Sequence, residues 1–303
     1  MKQRISIICA ILMMVLLVVG CGPAQTGTTG ATHQVTDGTG TVVTVPNEPK
    51  RIVPLAASTE DIVLSLVDPS RVAAVGTVPN NVPEASAKVE KHVKASAESM
   101  LSVQPDLVLV PNWMSQDAIG EMRNMQIPVY VYKTPTTVKE AKATIHEIAG
   151  LLHASDESMI ASMDADLKTV EELANKHSGE RPLVAFYSQF GLTGGKGSTF
   201  DDMCKYLKVN NAAAQVGLGP FDNGTREDLI KSNPDIIFIP SVAYTSDGAT
   251  PASVEQLYSD PALQGVKAIA NRRVYLVDSS QVMSYSQFMT RAMVSMAQNI
   301  YSM

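Results

Sequence analysis

Trp113 is the only tryptophan in the chain and falls just past Pro111, at the end of the apolar run Leu107 to Val110. Inside such a run an indole would pack a core; beyond the proline it can offer a stacking face to a flat ring system. Other patterns capable of chemistry are incomplete. Thr193-Gly194-Gly195-Lys196-Gly197-Ser198 has the outline of a phosphate loop, but Phe190 and Gly197 stand where that fingerprint needs Gly and Ser or Thr. The five histidines, His33, His92, His146, His153 and His177, are scattered, and no His-Glu-x-x-His occurs, which disfavours a zinc or manganese site. No Gly-x-Ser-x-Gly is present and no histidine pairs with Cys204, so neither serine nor cysteine nucleophile chemistry is indicated. The methionines Met289, Met293 and Met296 fall on one face of a last helix and read as packing.

The amino-terminal segment has its own chemistry. Lys2 and Arg4 precede an apolar run from Ile5 to Val19, the layout of a secretory signal over residues 1–20, too short for a convincing span. Leu17-Val18-Val19-Gly20-Cys21 has the form of a bacterial lipobox, which makes Cys21 the expected lipidation site and mature amino terminus. A Gly/Thr-rich stretch follows, so residues 21–34 read as a flexible tether to the membrane. With Cys9 in the signal and Cys21 lipidated, only Cys204 remains, and no intramolecular disulfide is expected. Of 24 Lys and Arg, two lie in the signal; the remaining 22 face 30 Asp and Glu, a net charge of −8 with no basic cluster. Nucleic acid is not an expected partner.

Positioning elements follow from apolar runs bounded by turn residues: Arg51 to Leu55, Val72 to Val75, Leu107 to Val110, Val129 to Tyr132, Leu183 to Phe186, Ile236 to Ile239 and Val274 to Val277. Helical patterns alternate with them, predicting βαβ units and mostly parallel sheets. Glu98, Pro105-Asp106, Leu107 to Val110 and Pro111 recur as Glu227, Pro234-Asp235, Ile236 to Ile239 and Pro240, all at an offset of 129 residues. The repeat predicts two lobes on one plan, an N-terminal lobe over 35–137 and a C-terminal lobe over 179–303. Between them, residues 138–178 contain no proline and carry apolar residues at helical spacing. With a break near His153 and Ala154, a helix from Ser155 to His177 would be roughly 35 Å long, enough to bridge two lobes.

Taken in order, these pieces resemble the helical-backbone (class III) solute-binding proteins of ATP-binding cassette (ABC) importers for iron-siderophore, haem and vitamin B12. The resemblance covers nearly all of residues 35 to 300 and rests on Asp37-Gly38-Thr39-Gly40, Ser58-Thr59-Glu60, Glu98 to Val110, Gln126 to Val129, Thr193 to Ser198, Asn210 to Ala213 and Glu227 to Ile239. It implies two Rossmann-like α/β lobes bridged by one long α-helix, with a ligand cleft between them. It implies a non-enzymatic, extracytoplasmic lipoprotein and an expected monomer. Its partners would be a permease dimer with its ATPase and a small-molecule metal chelate. No resident cofactor is expected, although the ligand can itself contain iron or cobalt. Glu98 and Glu227 match the family's permease-docking glutamates. Separated carboxylates can fix orientation on guanidinium groups, whereas each alone would be an ordinary helix N-terminal charge.

Loops after strands supply the ligand-contact candidates: Ser58, Thr59, Asn112, Trp113, Tyr187, Phe190, Phe221, Tyr244, and Met283 to Tyr285. Phe221 matches a ligand-facing tryptophan of the vitamin B12-binding relatives, and His92 loosely matches another ligand-facing aromatic that could reach an iron or cobalt. The competing readings are an enzyme or chelatase on the same scaffold, which would need a convergent acid, base or metal set, and a ligand-sensing lipoprotein. Lipidation makes a direct prediction: Cys21→Ala moves the protein from the membrane to the soluble extracytoplasmic fraction, and unchanged membrane retention would contradict the anchor.

Overall fold

A computed structural model describes residues 31–241 and 253–301. The signal segment, Cys21 and Tyr244 lie outside them. In chain order the first lobe contains β1 (Thr32–Thr36), β2 (Val42–Pro46), β3 (Ile52–Pro54), α1 (Ala57–Leu66), α2 (Pro83–Ser86), α3 (Ala97–Val103), β4 (Leu107–Pro111), α4 (Gln116–Asn124) and β5 (Val129–Tyr132). The crossing is made by α5 (Val138–Leu152) and α6 (Glu157–Asn175). The second lobe continues through β6 (Leu183–Ser188), β7 (Gly191–Thr193), α7 (Thr199–Tyr206), β8 (Asn210–Asn211), α8 (Ala212–Gln215) and α9 (Arg226–Ser232). It ends with β9 (Ile236–Pro240), α10 (Val254–Ser259), α11 (Lys267–Ala270), β10 (Val274–Val277), α12 (Ser279–Val282) and α13 (Phe288–Tyr301).

Strands β3, β4 and β5 form a parallel sheet in that order. In the second lobe β10, β9 and β6 are parallel neighbours, β7 returns antiparallel on β6, and β8 pairs with the start of β6. All five residues of β4 and all five of β9 are buried, as continuous apolar runs in covered parallel sheets require. Their side chains alternate between two cores. Leu107, Leu109, Ile236 and Phe238 face one cluster that also takes in Ile145, Ile148, Met163, Val170 and Met293 from the crossing and terminal helices. Val108 and Val110 face a cluster private to the first lobe, and Ile237 and Ile239 one private to the second.

The repeat seen in the sequence is a structural repeat. Ser96 and Thr225 cap α3 and α9, accepting from Ser99 N and Asp228 N. Gln104 and Asn233 end the two helices in the left-handed conformation, at φ 46° and 50°. Pro105 and Pro234 prevent continuation. Asp106 then accepts from Lys50 N at 2.7 Å and Arg51 N at 2.9 Å, and Asp235 accepts from Leu183 N at 2.8 Å, each carboxylate closing the start of the neighbouring strand. Cap, helix, stop and strand all keep the 129-residue offset.

Three elements differ from the sequence expectation. Val72 to Val75 is not a continuous strand: Val72 bridges Ile52 and Val75 bridges His92, so the stretch changes partners after two residues. Residues 32–34, expected to belong to the tether, instead begin β1, and Asp37 to Gly40 turns the β1–β2 hairpin so that its tip covers the open edge of β5, where Gly38 N donates to Val131 O and Val131 N donates to Asp37. Burial would raise the Asp37 carboxyl, but hydrogen bonds from Thr39, Thr41 and Val131 outweigh it and hold the group below its ordinary range. The long helix is α6, 19 residues and roughly 28 Å, starting two residues later than expected because His153 breaks the chain in the left-handed region and Ser155 offers Glu157 N only a 3.4 Å contact. Asp106→Ala, which strands two backbone N–H groups, should cost roughly 2 kcal/mol, read as a lower denaturant midpoint with an unchanged slope; an unshifted midpoint would refute this role for the carboxylate.

Candidate functional site: the carboxyl ends of two sheets

The carboxyl ends of the two sheets adjoin at the lobe seam. There Asn81, in the loop beyond Val75, donates to Ser280 O at 2.9 Å, just past β10. The loops leaving β4 and β5 are tied together, because Asn112 Oδ1 accepts from Thr134 N at 3.0 Å and from Thr134 Oγ1 at 2.8 Å. That fixes the backbone beside Trp113, which is 60% exposed although it follows a fully buried strand. Asn112 Nδ2 has no hydrogen-bond partner among the described residues.

In the second lobe Phe190 sits in the β6–β7 turn and Phe221 in the loop ahead of α9, 53% and 90% exposed. The two turns are held together by a pair of backbone hydrogen bonds, Leu192 N to Gly224 O at 3.1 Å and Gly224 N to Leu192 O at 2.8 Å. Leu192 pairs with Gly224, and Gly191, at φ +97°, lies where any Cβ would come within 2.1 Å of Gly224 O. Met283 is exposed beside a half-buried Tyr285, whose hydroxyl titration is pushed up by burial. Large apolar side chains, aromatic ones among them, therefore stand in solvent at the strand ends of both lobes.

Other sequence candidates occupy different positions. Ser58 and Thr59 are inside the first lobe, 8% and 0% exposed. The Thr59 hydroxyl is spent on Leu55 O at 3.0 Å and the Tyr132 hydroxyl at 2.8 Å, so in this structure it supports the floor and has no surface to offer a ligand. Tyr187 packs on the outer face of β6, against the private core of the second lobe. Burial raises its hydroxyl pKa, with Arg226, Asp260 and Glu227 as its charged neighbours, so it adjoins the first turn of α9. His92 is exposed and lies within electrostatic reach of Glu60. Among the described residues no three His, Cys, Asp or Glu are grouped to hold a metal ion.

Glu98 and Glu227 occupy equivalent first-turn positions on α3 and α9. Both are exposed, and neither side chain has a hydrogen-bond or ion-pair partner among the described residues. Arg226, next to Glu227, is instead committed to Asp260 at 3.0 Å. Two further concavities lie elsewhere: a groove of about 950 Å³ beneath the amino ends of the first sheet, and one of about 610 Å³ between α5 and α6. Neither is lined by Trp, Tyr or Phe.

Sequence reasoning missed a polar cluster at the seam. Glu60 and Asp61 are 1% and 0% exposed, and burial raises both carboxyls above the ordinary range despite hydrogen bonds from Asn80, Gly76, Asn81, Ser284 and Ser286. Two consecutive acids within a helix that is otherwise largely buried were the available signal.

Comparison with known proteins agrees with this geometry. Residues 52–281 match the family model described as periplasmic binding protein. The chain is similar to an ABC transporter substrate-binding lipoprotein, YvrC, of Bacillus subtilis (strain 168), 28% identical over 321 residues covering 99% of this chain and 98% of that one. A cobalamin-binding protein of Halobacterium salinarum (strain ATCC 29341 / DSM 671 / R1) is 22% identical over 86% of this chain and 72% of its own length. Among solved structures, the periplasmic haem-binding protein RhuT from Roseiflexus sp. RS-1, in apo form, superposes with a TM-score of 0.69 at 21% identity, covering 84% of this chain and 98% of its own.

The Gly191–Gly224 contact yields a mutational prediction. Gly191→Ala meets both a positive φ and a backbone oxygen, so it should cost about 2 kcal/mol or more and loosen the Phe190 and Phe221 turns together. A melting temperature equal to that of the parent would show that the turns do not depend on this approach.

Proposed function

This chain belongs to the periplasmic binding protein family, and from that premise we propose that it is the solute-binding subunit of an ABC importer for a metal chelate of the iron-complex, haem or corrinoid class. The observation that carries the reading is the exposed aromatic set, Trp113 on one lobe and Phe190 and Phe221 on the other, at the carboxyl ends of two adjoining sheets. A planar macrocycle buried between such faces gains both apolar area and stacking. The names of the relatives, a cobalamin-binding protein and a haem-binding protein among them, support the same class.

Charge narrows the choice within it. Anionic ferric catecholates call for several free basic groups. Arg226 is paired with Asp260, and Arg291 lies over the Phe288 ring at 5.1 Å. Lys133 is the one basic side chain in the loops directly following β3, β4, β5, β6 and β10 among the described residues. A neutral or weakly charged ring system, a corrinoid ahead of haem, suits that surface best. In this reading Cys21 carries the lipid anchor, and the exposed carboxylates Glu98 and Glu227 address basic groups on the two halves of a permease while the ATPase supplies the energy. The chain itself performs no turnover.

Trp113 is a built-in probe for the test. Titrating the purified chain with cyanocobalamin, haemin and ferric siderophores, corrected for inner-filter absorption, should give saturable quenching with one of them, cyanocobalamin first. Absence of saturation with every chelate would overturn the reading. The pair Glu98→Lys and Glu227→Lys should leave that quenching unchanged while reducing uptake at least about tenfold, as expected for reversed charge at an interface; normal uptake would remove both glutamates from docking.

A further inference from the structure

The seam between the lobes is closed on a buried carboxylate for which ligand stacking and permease docking give no role. Asp61 lies on α1 in the first lobe and is 0% exposed. Its Oδ1 accepts from Asn81 N at 2.7 Å. Its Oδ2 accepts from Asn81 Nδ2 at 2.8 Å, Ser286 Oγ at 3.0 Å and Ser284 Oγ at 3.3 Å. Asn81 belongs to the same lobe as Asp61, whereas the two serines lie 223 and 225 residues further along, on the segment joining α12 to α13. The contact is reinforced on both sides. Ser280 Oγ donates to Asn81 Oδ1 at 2.7 Å, and Gln287 Nε2 donates to the Asp61 carbonyl oxygen and to Ser65 Oγ, each at 3.0 Å.

We propose that Asp61 is a positioning residue for the cleft: it clamps the Ser284–Gln287 segment of the second lobe onto α1 of the first, and so sets the opening between the lobes and the placement of Met283 and Tyr285. The reason lies in the kind of contact. Apolar surfaces in the shared core tolerate small sliding and re-packing, but a buried carboxylate with four donors from two lobes is satisfied in one relative placement only. Hydrogen bonds to an ionised acceptor are also about twice as strong as neutral ones. Met283 and Tyr285 flank Ser284 directly, so any release of the serines moves the cleft wall. Asn80, the neighbour of Asn81, is held in turn by Glu60 at 2.7 Å, a contact within the first lobe that secures its half of the clamp.

The consequence for ligand affinity rests on the cleft reading; the clamp does not. Hydrogen exchange on the ligand-free full chain tests it. Asp61→Asn keeps the volume but replaces one acceptor oxygen by a donor, and should speed amide exchange over Ser284–Phe288 by about tenfold or more while β4 and β9 exchange as in the parent. Ser286→Ala removes one arm with Asp61 intact and should act on the same segment to a smaller degree; it carries the test if Asp61→Asn does not fold. Unchanged exchange in Ser284–Phe288, or an equal rise across β4 and β9, would overturn the proposal, the second outcome reducing Asp61 to a contributor to global stability. Cyanocobalamin quenching of the same proteins separates the two readings: a parent chain that binds no chelate but shows the local exchange pattern leaves the clamp standing and removes the ligand assignment.

Discussion

One apolar cluster, shared by both sheets, is the constraint on which the rest of the architecture depends. It runs from Ile52 and Leu107 in the first lobe through Ile145, Ile148, Met163 and Val170 of the crossing helices to Val184, Phe238 and Met293 in the second. Separating the lobes through this layer would expose residues that are almost all below a tenth accessible, at about 25 cal/mol for each Å² of apolar surface returned to water. The shared layer therefore holds the two lobes together. Their outer faces have independent cores, so each lobe keeps its own shape while the common layer sets where they meet.

On that layer the same local device is used twice. A capped helix, a left-handed stop, a proline, a strand-closing aspartate and a buried strand occur in each lobe with no change of offset. The device places one carboxylate, Glu98 or Glu227, with no partner among the described residues, at the start of each helix. Because both helices are locked to their strands by Asp106 and Asp235, the spacing of the two charges follows the angle between the lobes. Under the proposed docking role, a surface that reads the two carboxylates would also read how far the cleft is open. Asp61 and its serines stand where that angle is decided.

Much of this was legible in the chain because it depends on local rules. The bounds of β5 and β10 coincide with apolar runs flanked by turn residues, and the repeat announced two lobes before any contact was known. The exposure of Trp113 followed from its place after Pro111. What remained hidden depends on partners distant in sequence. Val72 to Val75 has a strand's composition but splits its pairing between Ile52 and His92. Thr59 has a ligand-type side chain, yet Tyr132, across the sheet, takes its hydroxyl. Asp61 could not be distinguished from a solvated acid, since two of its donors lie more than 220 residues away. In sequence Tyr187 reads as following a strand that ends at Phe186, whereas β6 runs on to Ser188 and holds Tyr187 against the second lobe's own core.

In the proposed function the two strand-end surfaces form one cleft for one flat chelate. Isothermal titration of cyanocobalamin into the full chain tests this most directly, with haemin and a ferric siderophore run alongside. A single site per chain for one of these ligands, with a negative heat-capacity change from burial of the aromatic faces, is the predicted result. No heat of binding for any chelate, or binding that is indifferent to Trp113→Ala and Phe221→Ala, would contradict it.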